Sequence, residues 1–249
     1  MPFDPATHAT LVVPCYNEQR RLPPYLASLC ERLQPYPGVT VLVVDDGSDQ
    51  AEFEAVRAVV EELRRRVKPQ LAIDRLARHV GKGAALEHGF LAADTPLVGF
   101  VDADGSVGAD DCLAVLAELA GAAGLEGAIA SRVKMLGRTI VRRATRHALG
   151  RMFATLLVAA FEIPVYDSQC GCKFFRREAV LPLVPLIESK RWLWDTQLLI
   201  LLHRRGARLR EVPVSWAETS GSKLSRWHSL VTVPIELWTF KRMLARKGL

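Results

Sequence analysis

Apolar residues fall in short blocks along this chain, each followed by a longer stretch in which they recur at three- and four-residue intervals. The blocks at Ala9 to Val13, Val39 to Val44, Leu71 to Leu76, Leu97 to Val101, Gly127 to Ala130, Cys172 to Phe175 and Leu209 to Val214 read as strands. Short, mostly apolar runs of this kind suit strands covered on both faces. The segments Pro23 to Leu33, Glu52 to Val67, Gly83 to Ala92, Asp110 to Leu119, Ile140 to Phe161, Glu178 to Leu186 and Asp195 to Arg205 carry helical spacing. Strand and helix alternate through the first half, which calls for right-handed crossovers and an α/β fold: a mostly parallel sheet flanked by helices. Residues 121 to 128 and 218 to 225 read as loops, and no internal repeat is visible.

In such sheets ligands bind beyond the C-terminal ends of the strands. That rule brings Pro14 to Glu18, Asp45 to Ser48 and Asp102 to Asp104 to one crevice. Val101-Asp102-Ala103-Asp104-Gly105 ends an apolar run, and a strand period of two puts both carboxylates on one side, where they can share a hard divalent cation. An acidic pair after a strand is more often solvated or capping the next helix. Here it has company: Asp45-Asp46-Gly47-Ser48 ends an earlier strand, and Gly81-Lys82-Gly83 lies between the two. The latter lacks the P-loop spacing, and no Gly-x-Gly-x-x-Gly follows the first strand, so neither an NTPase nor a dinucleotide dehydrogenase is indicated. Its lysine and the free amides of a helix start suit phosphate; a bland turn is the alternative.

A length of 249 residues with 49% hydrophobic and 24% charged content accommodates one large domain, taken as residues 1–224, with a basic amphipathic C-terminal helix over 225–249. The net charge of +6 points to an anionic partner. It is concentrated in a segment holding Arg132, Lys134, Arg138, Arg142, Arg143, Arg146 and Arg151 without an acidic residue. Residues 1 to 20 do not read as a signal peptide. The longest apolar-rich run, Phe153 to Phe161, falls short of the roughly 18–20 residues that span a bilayer. Five cysteines without a Cys-x-x-Cys pair suggest reduced thiols in a cytoplasmic protein, and Cys170 with Cys172 lacks the further ligands of a zinc site. Two segments mix basic residues with large apolar ones. Arg138 to Leu157 is one; Trp227 to Phe240, followed by Lys241, Arg242, Arg246 and Lys247, is the other. This is the composition of interfacial helices on an anionic leaflet, so the expectation is peripheral association with the cytoplasmic face of a membrane. No motif for nucleic acid is present.

Seven motifs in order, Leu11-Val-Val-Pro14-Cys-Tyr16-Asn17-Glu18, Val44-Asp45-Asp46-Gly47-Ser48, Gly81-Lys82-Gly83, Asp102-Ala103-Asp104-Gly105, Asp167-Ser-Gln169-Cys170-Gly171-Cys-Lys173-Phe174-Phe175, Arg191-Trp-Leu-Trp-Asp195 and Gly221-Ser222-Lys223, resemble those of family 2 glycosyltransferases. Within that family they most resemble the polyprenyl-phosphate sugar transferases, the dolichyl-phosphate β-glucosyltransferase group above all. The resemblance implies a GT-A, Rossmann-like fold, a nucleotide-sugar donor, Mg²⁺ or Mn²⁺, and inversion at the anomeric carbon. It places Pro14, Tyr16 and Glu18 at the nucleoside, Asp45 and Asp46 at base and ribose, Gly81 and Lys82 at the donor, Asp102, Ala103 and Asp104 at the metal and diphosphate, and Asp167 and Gln169 at the sugar. His79-Val80 departs from the Asn-Arg usual before Gly-Lys-Gly.

The chemistry adds its own demands. Breaking a bond between an anomeric carbon and a diphosphate piles charge on the leaving oxygens, which a cation on Asp102 and Asp104 would stabilise. A phosphate acceptor is already ionised and needs a cationic grip, for which Arg132, Arg142, Arg143 and Lys223 are the candidates. Asp195 is then either a base, a positioning group or a helix N-cap. The expected reaction is metal-dependent transfer of a hexose, glucose from UDP-glucose, to a polyprenyl phosphate. The competitors are mannose from GDP-mannose, a soluble transferase with a hydroxyl acceptor, and a non-catalytic nucleotide-sugar binder.

Overall fold

The computed structural model describes residues 3–66, 70–141, 153, 155–218 and 226–248. In the chain's first half β1 (Ala9–Cys15), α1 (Leu22–Leu33), β2 (Val39–Asp45), α2 (Gln50–Arg66), β3 (Gln70–Arg75), α3 (Lys82–Ala92), β4 (Leu97–Val101), α4 (Ala109–Gly121) and β5 (Gly127–Ser131) alternate without exception. There follow β6 (Ile140–Val141), a helix over 155–161 (α5), β7 (Cys172–Arg176), α6 (Arg177–Val180), a 3₁₀ turn (Leu181–Leu186), α7 (Trp194–Arg204), β8 (Leu209–Pro213), β9 (Trp216–Ala217) and α8 (Arg226–Lys247).

Seven strands form one sheet in the order β3-β2-β1-β4-β7-β5-β8. Every pairing in it is parallel except those of β7, which runs against both β4 and β5. All of β1 is buried, as a central strand covered by helices on both faces must be. Its alternate residues serve two cores: Leu11 and Val13 meet Leu22, Leu26 and Leu29 of α1, whereas Val12 meets Ala85, Leu86 and Phe90 of α3. The first core also holds Val56 and Val60 of α2, and the second takes in Leu198, Leu201, Leu237, Phe240 and Leu244 from α7 and α8. The C-terminal helix is therefore docked on the domain along one side.

Two expectations change. The helix expected from Ile140 begins instead as a strand: Ile140 and Val141 pair in parallel with Trp216 and Ala217, and helix appears at 155–161, residues 142–152 lying outside the described set. Two β-branched residues with a partner edge at hand override the helical spacing around them. The segment Glu178 to Leu186 is a single α turn followed by a 3₁₀ turn, because Pro182 and Pro185 cannot supply α-helical N–H groups. The loop expected at 121–128 narrows to 122–126, and most of the one at 218–225 lies outside the described residues.

Candidate active site

The chain leaves β1 outward to β2 and β3 and then returns to β4 on the other side of β1. This is a reversal of strand order, where the loops beyond the strand ends part and leave a crevice. A cavity of about 330 Å³ opens there, walled from β1 by Pro14, Tyr16, Glu18 and Arg21, from β2 by Asp46, from the start of α3 by His79, Gly81 and Lys82, from β4 by Asp102, Ala103 and Asp104, and from the segment before α7 by Arg191 and Trp192.

The acidic pair is held from behind. The Asp102 N–H donates to the Gly171 carbonyl at 2.8 Å, the last rung between β4 and the segment entering β7. A Cβ on Gly171 would lie 2.0 Å from Oδ2 of Asp102, so only glycine lets this carboxylate sit where it does. Lys82 Nζ bonds Oδ1 of Asp102 at 2.5 Å and lies over the rings of Phe100 and Trp192. Oδ1 of Asp104 accepts the Ser106 N–H at 2.9 Å. Burial pushes the Asp102 carboxyl above the ordinary carboxylate range; Lys82 opposes this, and the charges of Asp104 and Asp195 add to it. Burial likewise disfavours the Lys82 ammonium, yet Asp102, Asp195 and Asp104 prevail and raise its pKa.

Two carboxylates side by side in the lining of this cavity are the donor set a hard divalent ion suits. Among the described residues no group of three or more His, Cys, Asp or Glu side chains is arranged to hold a metal. The further oxygens would have to come from phosphate and water, as is usual for Mg²⁺.

The Gly81-Lys82-Gly83 turn owes its glycines to packing. Gly81 has φ +143° with the Lys190 carbonyl 2.5 Å from where a Cβ would stand, and a Cβ on Gly83 would meet Trp194 at 2.7 Å. This close approach brings the first turn of α3 against the 190–194 segment and aims Lys82 at Asp102. At the opposite wall the Tyr16 and His79 rings stack 3.8 Å apart, His79 Nδ1 lies 2.8 Å from Oδ2 of Asp46, and Oδ1 of Asp46 accepts the Val80 N–H at 2.9 Å. Arg21 donates to both carboxylate oxygens of Glu18, which raises the guanidinium pKa.

Several sequence candidates lie elsewhere. Asp45 is buried outside the cavity lining, accepting the Ser48 N–H at 3.0 Å with Arg75 Nε at 3.4 Å. Asp167 and Arg132 form a two-pronged pair, Nε to Oδ2 at 2.6 Å and Nη2 to Oδ1 at 2.7 Å, with the Arg132 N–H added at 3.0 Å. Burial pushes the Asp167 carboxyl up, but Arg132 outweighs it and holds the carboxyl below its usual range. Gln169 donates to the Thr196 hydroxyl at 2.5 Å. Asp195 is the second residue of α7, whose N-cap is Leu193, so its carboxylate does not cap the helix. Its Oδ2 accepts Lys173 Nζ at 2.6 Å, its Oδ1 accepts the Thr196 N–H at 2.9 Å, and it is 4% exposed. Arg142, Arg143 and Lys223 lie outside the described residues.

Sequence reasoning gives no role to Arg21, Lys173, Arg191 or Trp192. Lys173 carried a signal, a charge inside an otherwise apolar strand. Arg21 carried none, since it becomes a wall residue only when α1 folds back beside β1.

The family model for glycosyl transferase family 2 matches residues 10–182. A dolichyl-phosphate β-glucosyltransferase of Trichomonas vaginalis is 31% identical over 98% of this chain and 77% of the relative. The dolichyl-phosphate β-glucosyltransferase of Saccharomyces cerevisiae is 29% identical over 87% and 69%. Among solved structures, glucosyl-3-phosphoglycerate synthase of Mycobacterium tuberculosis in complex with UDP superposes with a TM-score of 0.71 at 16% identity, covering 95% of this chain and 80% of that one. The same synthase with Mn²⁺, UDP and phosphoglyceric acid gives 0.70 at 15% identity, over 97% and 84%. At that identity the likeness speaks for a shared GT-A fold.

Proposed function

The chain belongs to glycosyl transferase family 2 and is a glycosyltransferase. From that premise we propose that it inverts glucose from UDP-glucose onto a polyprenyl phosphate, with Mg²⁺ or Mn²⁺ on Asp102 and Asp104, at the cytoplasmic face of a membrane. The observation that carries this reading is the meeting of Asp102, Asp104, Lys82 and Arg21 in one cavity at the reversal of strand order. The relatives' names supply the sugar and the lipid phosphate.

Pro14, Tyr16, Asp46 and His79 form the nucleoside wall, and the Tyr16 ring offers a face on which a base can stack. Asp45 acts from below, fixing the turn that presents Asp46. A divalent ion held by Asp102 and Asp104 would supply Lewis-acid stabilisation of charge on the leaving diphosphate. Lys82 and Arg21, already held by carboxylates, stand ready to exchange those partners for phosphate oxygens, and the amides at the start of α3 add a positive helix end. Gln169, tied to Thr196, and Asp167 frame the sugar side.

The acceptor phosphate arrives ionised, so no base is required. Asp195 suits that case, because both of its oxygens are engaged and it is buried; its task is orientation. The acceptor's cationic grip falls to Arg142, Arg143 and Lys223, with Arg132 contributing only if it can share its hold on Asp167. Membrane contact is supported by α8, where Leu237, Phe240 and Leu244 are buried while Ile235 and Trp238 are each 57% exposed and Arg242 lies 4.6 Å from the Trp238 ring. Among the described residues no helix is long and apolar enough to cross a bilayer.

The test is a matrix of UDP-glucose and GDP-mannose against short prenyl phosphates with Mg²⁺ or Mn²⁺. Radiolabel from UDP-glucose is expected in an organic-extractable product, lost with EDTA. Label only from GDP-mannose, or only in water-soluble product, contradicts the assignment.

A further inference from the structure

Lys173 is a lysine with no solvent exposure, the second residue of β7, facing Phe100 across the antiparallel ladder. Its ammonium donates to Oδ2 of Asp195 at 2.6 Å and to the Cys170 carbonyl at 2.7 Å, and it lies 5.2 Å from the centre of the Phe100 ring. Taking a lysine and an aspartate out of water costs several kcal/mol per ion, and an apolar pair of similar volume in such a place is commonly as stable or more so. Stability alone does not account for this pair. Its location suggests what does. Lys173 stands one ladder step from the Val101–Cys172 pair and so from Asp102, which follows Val101 in the chain.

The tethers are directional. The Cys170 carbonyl and the Phe100 ring fix where the ammonium sits, and the ammonium in turn fixes one oxygen of Asp195 while the Thr196 N–H takes the other. Asp195 is thereby tied at both oxygens in one orientation. Beside this pair, Gln169 bonds the Thr196 hydroxyl and adds a second tie between the segment before β7 and the start of α7.

We propose that Lys173 is a positioning residue for glycosyl transfer, acting through Asp195: its anchored ammonium keeps that carboxylate aligned behind the cavity wall. The inference rests on the transferase reading above. Neither side chain lines the cavity, so their effect falls on turnover and leaves nucleotide affinity largely alone.

A double-mutant cycle in the full chain tests it, run on whichever donor and acceptor the wild type turns over. The variants are Lys173→Met, Asp195→Asn and the two together, with kcat, UDP affinity by calorimetry in Mn²⁺, and Tm measured for each. Lys173→Met should lower kcat by about a hundredfold, the cost of a misplaced reacting geometry, with UDP affinity within about threefold. The double variant should be no slower than Asp195→Asn alone, since nothing remains for Lys173 to position. Should Lys173→Met fail to fold through its unpaired carboxylate, the charge-neutral double variant and Lys173→Gln, which retains an N–H for Asp195, carry the same comparison. Effects that simply multiply across the cycle overturn the proposal, as does kcat falling only in step with UDP affinity and Tm. A wild type inactive on every donor and acceptor removes the transferase reading and this inference with it; an active one with multiplicative effects removes this inference alone.

Discussion

Gly171→Ala isolates the support behind the acidic pair. The new methyl would stand 2.0 Å from Oδ2, 2.3 Å from Cγ and 3.0 Å from Cβ of Asp102. Non-bonded contacts of this kind relax near 3.5 Å, so the carboxylate must move by more than about 1 Å. The two backbones cannot part freely, because the Asp102 N–H is bonded to the Gly171 carbonyl at 2.8 Å. The carboxylate must therefore rotate off its rotamer and away from Lys82, at a cost of about 0.5–1.5 kcal/mol. Gly171 is not in the left-handed region, so alanine brings no backbone strain there. It even returns about 0.4–1 kcal/mol by restricting the unfolded chain. Net destabilisation should stay below about 2 kcal/mol, a fall in Tm of less than about 8 °C for a chain of this size. Turnover is another matter: a displacement of about 1 Å at a group that orients the reactants can cost about a hundredfold. The assay is UDP release with a prenyl phosphate acceptor, paired with calorimetric Tm. Turnover within about threefold of wild type in a folded Gly171→Ala protein would refute the claim that this contact sets Asp102.

Asp104→Asn should cost at least about a hundredfold in transfer with Tm nearly unchanged, since it removes a ligand charge while leaving the Ser106 contact possible; near-normal turnover counts against the metal site. Asp167→Asn should destabilise the chain by about 3–5 kcal/mol near pH 7 by leaving Arg132 buried without its counter-charge. Because Arg132 holds the folded carboxyl below its unfolded value of about 3.9, that stabilisation is complete above about pH 4 and is lost as pH falls through the folded value. Denaturation curves of wild type and variant should thus converge in acid, and a gap that stays constant down to pH 2 would argue otherwise. Flotation with anionic vesicles should be salt-sensitive and should weaken in Trp238→Ala and Arg242→Ala; equal flotation of all three proteins would move the contact away from α8.

What the sequence discloses and what it hides divide along physical lines. Ala9–Cys15, Val39–Asp45 and Leu97–Val101 were legible because a strand buried on both faces needs an unbroken apolar run, and the polar residue that ends each run marks the sheet's ligand edge. Asp102 and Asp104 were legible for the same reason, and Lys82 because two glycines frame it. Pairing between distant residues was not. Arg132 reads as a free phosphate ligand until Asp167, thirty-five residues on, is seen to claim it, and Asp195 reads equally as a base, a positioning group or a cap until Lys173 is found against it from β7. Ile140 and Val141 carry helical spacing in one dimension and find a strand partner at Trp216 only in three. Local pattern reports burial and turn chemistry; it is silent on which charge will neutralise which.

The account stands on Asp102 and Asp104 holding a divalent ion against the donor's diphosphate. Crystals grown with Mn²⁺ and UDP-glucose, and measured near the manganese edge, test that directly. The account predicts an anomalous peak at roughly 2.1 Å, a hard-ion distance, from an oxygen of this pair and from the diphosphate oxygens. Manganese or diphosphate bound elsewhere, with both carboxylates turned away, would contradict it.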